Sequence, residues 1–227
     1  MKINTATTLV LLLLLTTGCG TSYIPSSVNS PMFSNKGEFQ GAIHMGIQGY
    51  NPQFAYAATN HFGVIFNSNF YIDQSTSSIK DIKYKSGELG VGFHNKISDK
   101  YILEIFGGYG LGNVKNSYAF KPYVLEPVEL FSQRVFFQPS IGFSRENTVF
   151  SFTLRYVANN ISAKDNLSYT STFIEPVITG RVGFRNLMLI AQFGYSFRLF
   201  ESYLNFSTGY EPLILSLGIH FSINRHP

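Results

Sequence analysis

The sequence predicts an all-β fold, an antiparallel transmembrane β-barrel of about ten strands, with eight and twelve as the alternatives. Three observations predict it. Apolar and polar residues alternate through ten segments between Gly37 and the C-terminus, and the apolar face carries no charge in any of them. Charged residues make up 13% of the 227, about half the share of an ordinary soluble domain, while aromatics reach 16% without any Trp. Tight connections alternate with longer ones, as in a barrel with short turns at one end and loops at the other.

The first 36 residues stand outside that pattern. Lys2, the apolar run Leu9 to Leu15 and Thr16-Thr17-Gly18 before Cys19 read as a secretory signal over residues 1–18. That run is the longest apolar stretch in the chain and falls far short of the ~20 residues of a spanning helix. The small triplet ahead of the lone cysteine resembles the lipobox of bacterial lipoproteins, which implies a lipid on Cys19 as the first mature residue. A single cysteine excludes an intramolecular disulfide. Residues 19–36, rich in Ser and Asn with Pro25 and Pro31 and no apolar period, read as a flexible tether between that lipid and the fold.

Residues 37–227 then read as the barrel. The outward faces of the first half carry Phe39, Ile43, Met45 and Ile47, then Phe54 and Tyr56, then Val64, Phe66, Phe70 and Ile72. Leu89, Val91 and Phe93 follow, and after them Tyr101, Leu103, Ile105, Tyr109 and Leu111. The second half repeats the rhythm through Val135 to Phe143, Phe150 to Tyr156, Ile174 to Phe184, Leu187 to Phe197 and Leu213 to Ile223. Tight turns are expected at Asn60-His61, Lys96–Lys100, Ser144–Asn147 and Arg185-Asn186, and longer loops near residues 73–86, 112–131, 159–171 and 199–210. The first hairpin is expected to turn at Gly49-Tyr50-Asn51-Pro52. An even strand count places both chain ends on the short-turn side, which is periplasmic in a Gram-negative outer membrane.

A soluble β-sandwich also alternates, but its strands are shorter and its polar face is normally dressed in Lys and Glu. Here that face is mostly Gly, Ser, Thr, Gln and Asn, which suits a narrow lumen. Aromatics gather toward the segment ends, with Tyr101, Phe143, Phe184 and Phe221 near the turns and Phe54, Phe70, Tyr109, Tyr156 and Phe197 near the loops. Pro139 and Pro176 fall inside strands of a sheet without a free edge, so bulges or shifted pairing are expected there.

Tyr23-Ile24-Pro25, Lys36-Gly37-Glu38-Phe39-Gln40 and Ala55-Tyr56-Ala57-Ala58-Thr59-Asn60-His61-Phe62-Gly63 together resemble the small outer-membrane β-barrel lipoproteins of Bacteroidota. The resemblance implies location and fold and transfers no catalytic residue.

Chemistry is sought on the inward face. Glu38, Glu88, Glu104 and Glu175 share it with Arg134, Arg155, Arg181 and Arg198, and with His44, His94 and His220. Balanced charges with little water pair with one another, because an unpaired buried charge is far costlier. The expected result is a charged and polar network filling the lumen; the alternative is a narrow channel for small solutes whose wall charges tune selectivity. A lipid-modifying enzyme is the second alternative, but no Gly-x-Ser-x-Gly, His-Glu-x-x-His or Cys-x-x-Cys motif occurs. The histidines have no metal-ligand spacing, and neither cofactor nor metal is expected. A net charge of +4, scattered along the chain, excludes a nucleic-acid footprint. Lys115, Tyr118, Lys121 and Tyr123 in the longest loop are the candidates for surface binding, and the lysines near residues 80–85 for contact with outer-membrane lipid and lipopolysaccharide phosphates. The expected function is a non-enzymatic outer-membrane lipoprotein, structural or surface-binding.

Overall fold

In the computed structural model, residues 21–74, 80–120, 123–124, 128–163, 168–184, 186–202 and 209–225 are described. They form β1 (Thr21–Tyr23), β2 (Phe39–Gly46), β3 (Gly49–Ala57), β4 (Phe62–Gln74), β5 (Lys80–Lys96), β6 (Tyr101–Phe120) and β7 (Tyr123–Val124). β8 (Val128–Arg145), β9 (Thr148–Ala163), β10 (Ser168–Phe184), β11 (Leu187–Tyr195), β12 (Phe197–Glu201), β13 (Gly209–Tyr210) and β14 (Leu213–Ile223) complete them. The signal segment 1–18 and Cys19 lie outside the described residues.

Ten strands close into one antiparallel barrel, as the alternation predicts. β2 to β6 and β8 to β11 pair in chain order, β12 prolongs β11, and β14 closes the circle between β11 and β2. Period-two patterning drives this closure, since each strand puts one side chain in two on each face. Outward side chains such as Ile43, Leu89, Val135, Leu189 and Leu217 remain widely exposed and make a continuous apolar exterior. The inward set, including Gln53, Glu88, Arg134, Arg155 and Gln192, is buried. A polar interior under an apolar exterior inverts a soluble fold and suits hydrocarbon.

Three prolines set local irregularities. The β3–β4 ladder skips Asn51 and Pro52 between Tyr50↔Phe70 and Gln53↔Asn67. The β8–β9 ladder skips Gln138 and Pro139 between Phe137↔Tyr156 and Ser140↔Thr153. β10 leaves β11 at Val177↔Gly194 and resumes with β12 at Ile174↔Phe197, so the break between β11 and β12 lies across from Pro176. A missing N–H is harmless where the ladder already pauses. Ser196, at that break, donates its N–H to the Pro212 carbonyl at 2.6 Å.

Three expectations need correction. The first hairpin turns at Ile47-Gln48, not at residues 49–52: Gly46 pairs with Gly49, and Pro52 sits within β3 opposite Ile43. Gly49 adopts φ +88°, and a Cβ there would come within 2.2 Å of the Phe70 carbonyl, so glycine closes the turn. This shift moves Phe54 away from the loop end; its ring faces Phe39 at 6.2 Å, which in turn lies 6.0 Å from Phe221.

The loops expected near 73–86, 112–131 and 159–171 are largely strand. β5 runs 17 residues and β6 runs 20, well beyond the ~9–11 that cross a bilayer. Alternation continues there, with Ile82 and Tyr84 inside and Lys83 and Lys85 outside, but polar outward residues carry no apolar signal. Above the hydrocarbon such residues face water without cost.

The segment expected as a tether fills the lumen. Tyr23, Ile24, Val28, Met32 and Phe33 are all at or below 1% exposed. Their apolar side chains find partners only among inward wall residues, which accounts for the burial. Tyr23 and Phe33 pack with Ala55, Ile65, Phe106, Phe136 and Phe173, Val28 with Val177 and Ile214, and Met32 with Ile102 and Val149.

The described part of this segment runs from one end of the barrel to the other. β1 runs parallel to β13, just ahead of β14 at the loop end. Asn35 donates to the Asn224 carbonyl at 2.7 Å and Gly37 to the Ala57 carbonyl at 2.8 Å, both at the turn end.

Candidate functional site

The site is the lumen and the segment within it. Residues 24–33 have no strand partner, so their backbone polar groups need others. Wall amides supply them. Asn51 Oδ1 accepts from the Ser27 N–H at 2.9 Å, and Gln53 Nε2 donates to the Ser27 carbonyl at 2.7 Å. Gln192 takes the Val28 N–H at 3.0 Å and donates to the Val28 carbonyl at 2.5 Å, as a neighbouring strand would. Gln138 donates to the Asn29 carbonyl at 2.8 Å and Asn69 to that of Pro25 at 3.4 Å. The Ser30 hydroxyl lies 2.9 Å from that of Ser151, and Ser27 donates to Ser216 at 3.1 Å. Alternation carries each of these wall residues inward.

Charges are arranged in two groups along the segment. Toward the loops, the Glu88 carboxylate accepts from Arg134 at 3.2 Å and Arg155 at 2.7 Å, with Asn67 at 3.3 Å. Arg155 also faces Glu175 at 4.0 Å, and Glu175 accepts from Tyr23 at 2.7 Å and Ser196 at 2.9 Å. The Arg134 guanidinium bonds Tyr84 and lies 4.9 Å over the Tyr23 ring, while Arg155 lies 4.7 Å over Phe136. Phe136 finds its space beside Gly108, where a Cβ would come within 2.6 Å of that ring.

Toward the turns, Arg181 donates to the Pro31 carbonyl at 3.0 Å, bonds the Ser30 carbonyl, and reaches Gln40 at 3.3 Å and His220 at 3.2 Å. Glu104 accepts the Phe33 N–H at 2.9 Å. Glu38, one residue ahead of β2, accepts from Ser34 at 2.7 Å and Gln40 at 2.7 Å and faces Arg225 at 3.7 Å. Burial raises the Glu38 pKa, and Arg225 opposes that rise. Between Val28, Ser30 and Arg181 lies a void of about 10 Å³, room for a single water.

Of the residues singled out in the sequence, Glu88, Glu104, Arg134, Arg155, Glu175, Arg181, His44, His94 and His220 are buried in the lumen. His44 lies 3.2 Å from Ser216, and the His94 ring 5.1 Å from Phe33. Arg198 departs from the expectation: it is half-buried, paired with Glu201, and its guanidinium lies 4.5 Å over Tyr210. The β12 offset past Pro176 carries it out of the lumen network. Lys115 is exposed and paired with Glu129. Tyr118 and Tyr123 belong to β6 and β7, of which only the backbone is described there, and Lys121 lies outside the described residues. Sequence reasoning missed Arg225, Tyr23 and the amide grips of Asn51, Gln53 and Gln192. One signal was present: five large apolar side chains between residues 23 and 33 are too many for a solvated tether.

Among the described residues, no three His, Cys, Asp or Glu gather to hold a metal ion. No family model matches the chain, and no curated protein matches it. Among solved structures, the crystal structure of Ail, the attachment invasion locus protein of Yersinia pestis, aligns at 16% identity over 83% of this chain and 99% of that one, with a TM-score of 0.37.

Proposed function

We propose that this chain is a non-enzymatic lipoprotein of the Gram-negative outer membrane, anchored through Cys19, whose barrel is a closed scaffold rather than a pore. The observation that carries this reading is the lumen itself, occupied from Tyr23 to Phe33 by a segment bonded to the wall along its length. The apolar band of the exterior supports the membrane, and the small-residue triplet before Cys19 supports the anchor. Against an acyl-transfer role stands the setting of the Ser216–His44 pair, which lies beneath Ser27 with both residues buried.

A structural or surface-binding role then rests on the strand ends that project beyond the hydrocarbon. Lys83 and Lys115 sit directly opposite each other on β5 and β6, both facing outward, with Lys85 two positions on. Glu129 neutralises Lys115 from the β8 side, which leaves Lys83 and Lys85 as the outward cations for an anionic lipid headgroup. Outer-membrane lipids and lipopolysaccharide are the partners this placement favours.

Planar-bilayer recordings test the closed-scaffold reading. Folded, full-length protein is expected to give no conductance steps at any applied voltage. Reproducible steps would overturn it in favour of the channel.

A further inference from the structure

The path of the N-terminal segment determines where the anchor lies. β1 is at the loop end: it runs beside Gly209–Tyr210, the Glu211 N–H donates to the Tyr23 carbonyl at 3.0 Å, and the Tyr23 ring stacks on Phe173 at 4.0 Å. Val28 is held midway by Gln192. Phe33 reaches Glu104 near the start of β6, and Asn35 and Gly37 bond Asn224 and Ala57 at the turn end. The segment thus traverses the whole barrel, and β2 then runs back along the wall. Eleven residues in extended form cover about 35 Å, enough for a hydrocarbon layer of ~30 Å.

We infer that the lipidated N-terminus of this protein is displayed on the loop side, with its acyl chains in the outer leaflet, while the C-terminus stays on the periplasmic side. Only Gly20 separates Cys19 from Thr21, and two residues of chain span at most about 7 Å. A lipid on it cannot reach the opposite leaflet ~30 Å away. Longer strand ends face outward in such barrels, which makes the loop side the cell surface. The inference rests on the outer-membrane lipoprotein reading above and deepens it: the barrel is the conduit that carries its own anchor across the membrane. Acyl chains cannot be drawn afterwards through a lumen this full, so the sheet closes around the segment during assembly.

Epitope tags test this in the full-length chain expressed in a Gram-negative host, one inserted after Gly20 and another appended after Pro227. Antibody is expected to label the first on intact cells and the second only after permeabilisation. Labelling of both tags only after permeabilisation, or of both on intact cells, overturns the inference, and so does the inverted pattern. Incorporation of labelled palmitate by the untagged protein, lost in Cys19→Ser, checks the lipoprotein reading separately; its absence removes the anchor without touching the topology. Should the inserted tag prevent folding, judged by loss of heat-modifiable mobility, Thr21→Cys in the Cys19→Ser background replaces it. Modification of that thiol by a membrane-impermeant maleimide on intact cells supports the inference, and modification only after permeabilisation overturns it.

Discussion

Deletion of residues 21–33 is expected to turn a silent barrel into a conducting one. The barrel ladder does not include this segment, so strand pairing survives its loss. The balance of energies agrees. Each large apolar side chain of the segment gains about 1.5–3 kcal/mol on burial, but ordering each of its residues costs about 1–2 kcal/mol. Over thirteen residues the ordering cost exceeds the gain of five apolar side chains, and the wall hydrogen bonds and charge contacts offset the difference. Removal therefore costs the barrel modest stability while clearing the lumen of everything except wall side chains. Arg134, Arg155 and Phe136 still project inward, so the resulting pore is narrow. Planar-bilayer recordings on the deletion variant check this, with heat-modifiable mobility confirming that the barrel has formed. A folded but silent deletion variant would show that the wall, and not the segment, closes the lumen.

The second large effect is expected at Glu88. Its carboxylate stands between Arg134 and Arg155, and all three side chains are no more than 1% exposed. Glu88→Ala leaves two buried guanidinium groups without their shared counter-ion, a loss of about 3–5 kcal/mol. The exposed Lys115–Glu129 pair provides the contrast, since its side chains are 47% and 38% exposed. Lys115→Ala is expected to cost less than about 1 kcal/mol, because water and salt screen such a pair. Urea unfolding in detergent, followed by far-UV circular dichroism because the chain lacks Trp, measures both. Equal, small losses in the two variants would mean that water reaches Glu88 and that the lumen is not packed.

The barrel was legible because closure depends on local alternation. Ile105 outward and Glu104 inward follow from their neighbours in sequence, and so do the pairing irregularities at Pro139 and Pro176. The ends of the strands were harder to read, since Lys83 and Lys85 face water on the outer surface and look like loop. Pro52 misplaced the first turn for a related reason. Proline favours turns, but it also fits a strand wherever the ladder pauses. The segment through the lumen was hidden more deeply. It has no period of its own, and its partners come from Asn51, Gln138 and Gln192, far apart in sequence and brought together only by closure. The inward charges were found as a set, yet their arrangement depends on Tyr23, Pro31 and Phe33, which lie in the segment read as a tether.

The claim that this segment lies inside the lumen is tested most directly by cross-linking it to the wall. Ser27 and Ser216 approach to 3.1 Å through their hydroxyls, within the reach of a disulfide once both are cysteine. In a Cys19→Ser background, Ser27→Cys with Ser216→Cys is expected to form that bond nearly completely in the folded protein, seen as a mobility shift after denaturation that reductant abolishes. Pairing Ser27→Cys with Leu217→Cys, whose wall position faces outward, is expected to give none. No cross-link in the first pair, or equal cross-linking in both, would contradict the threaded segment and the closed lumen that depends on it.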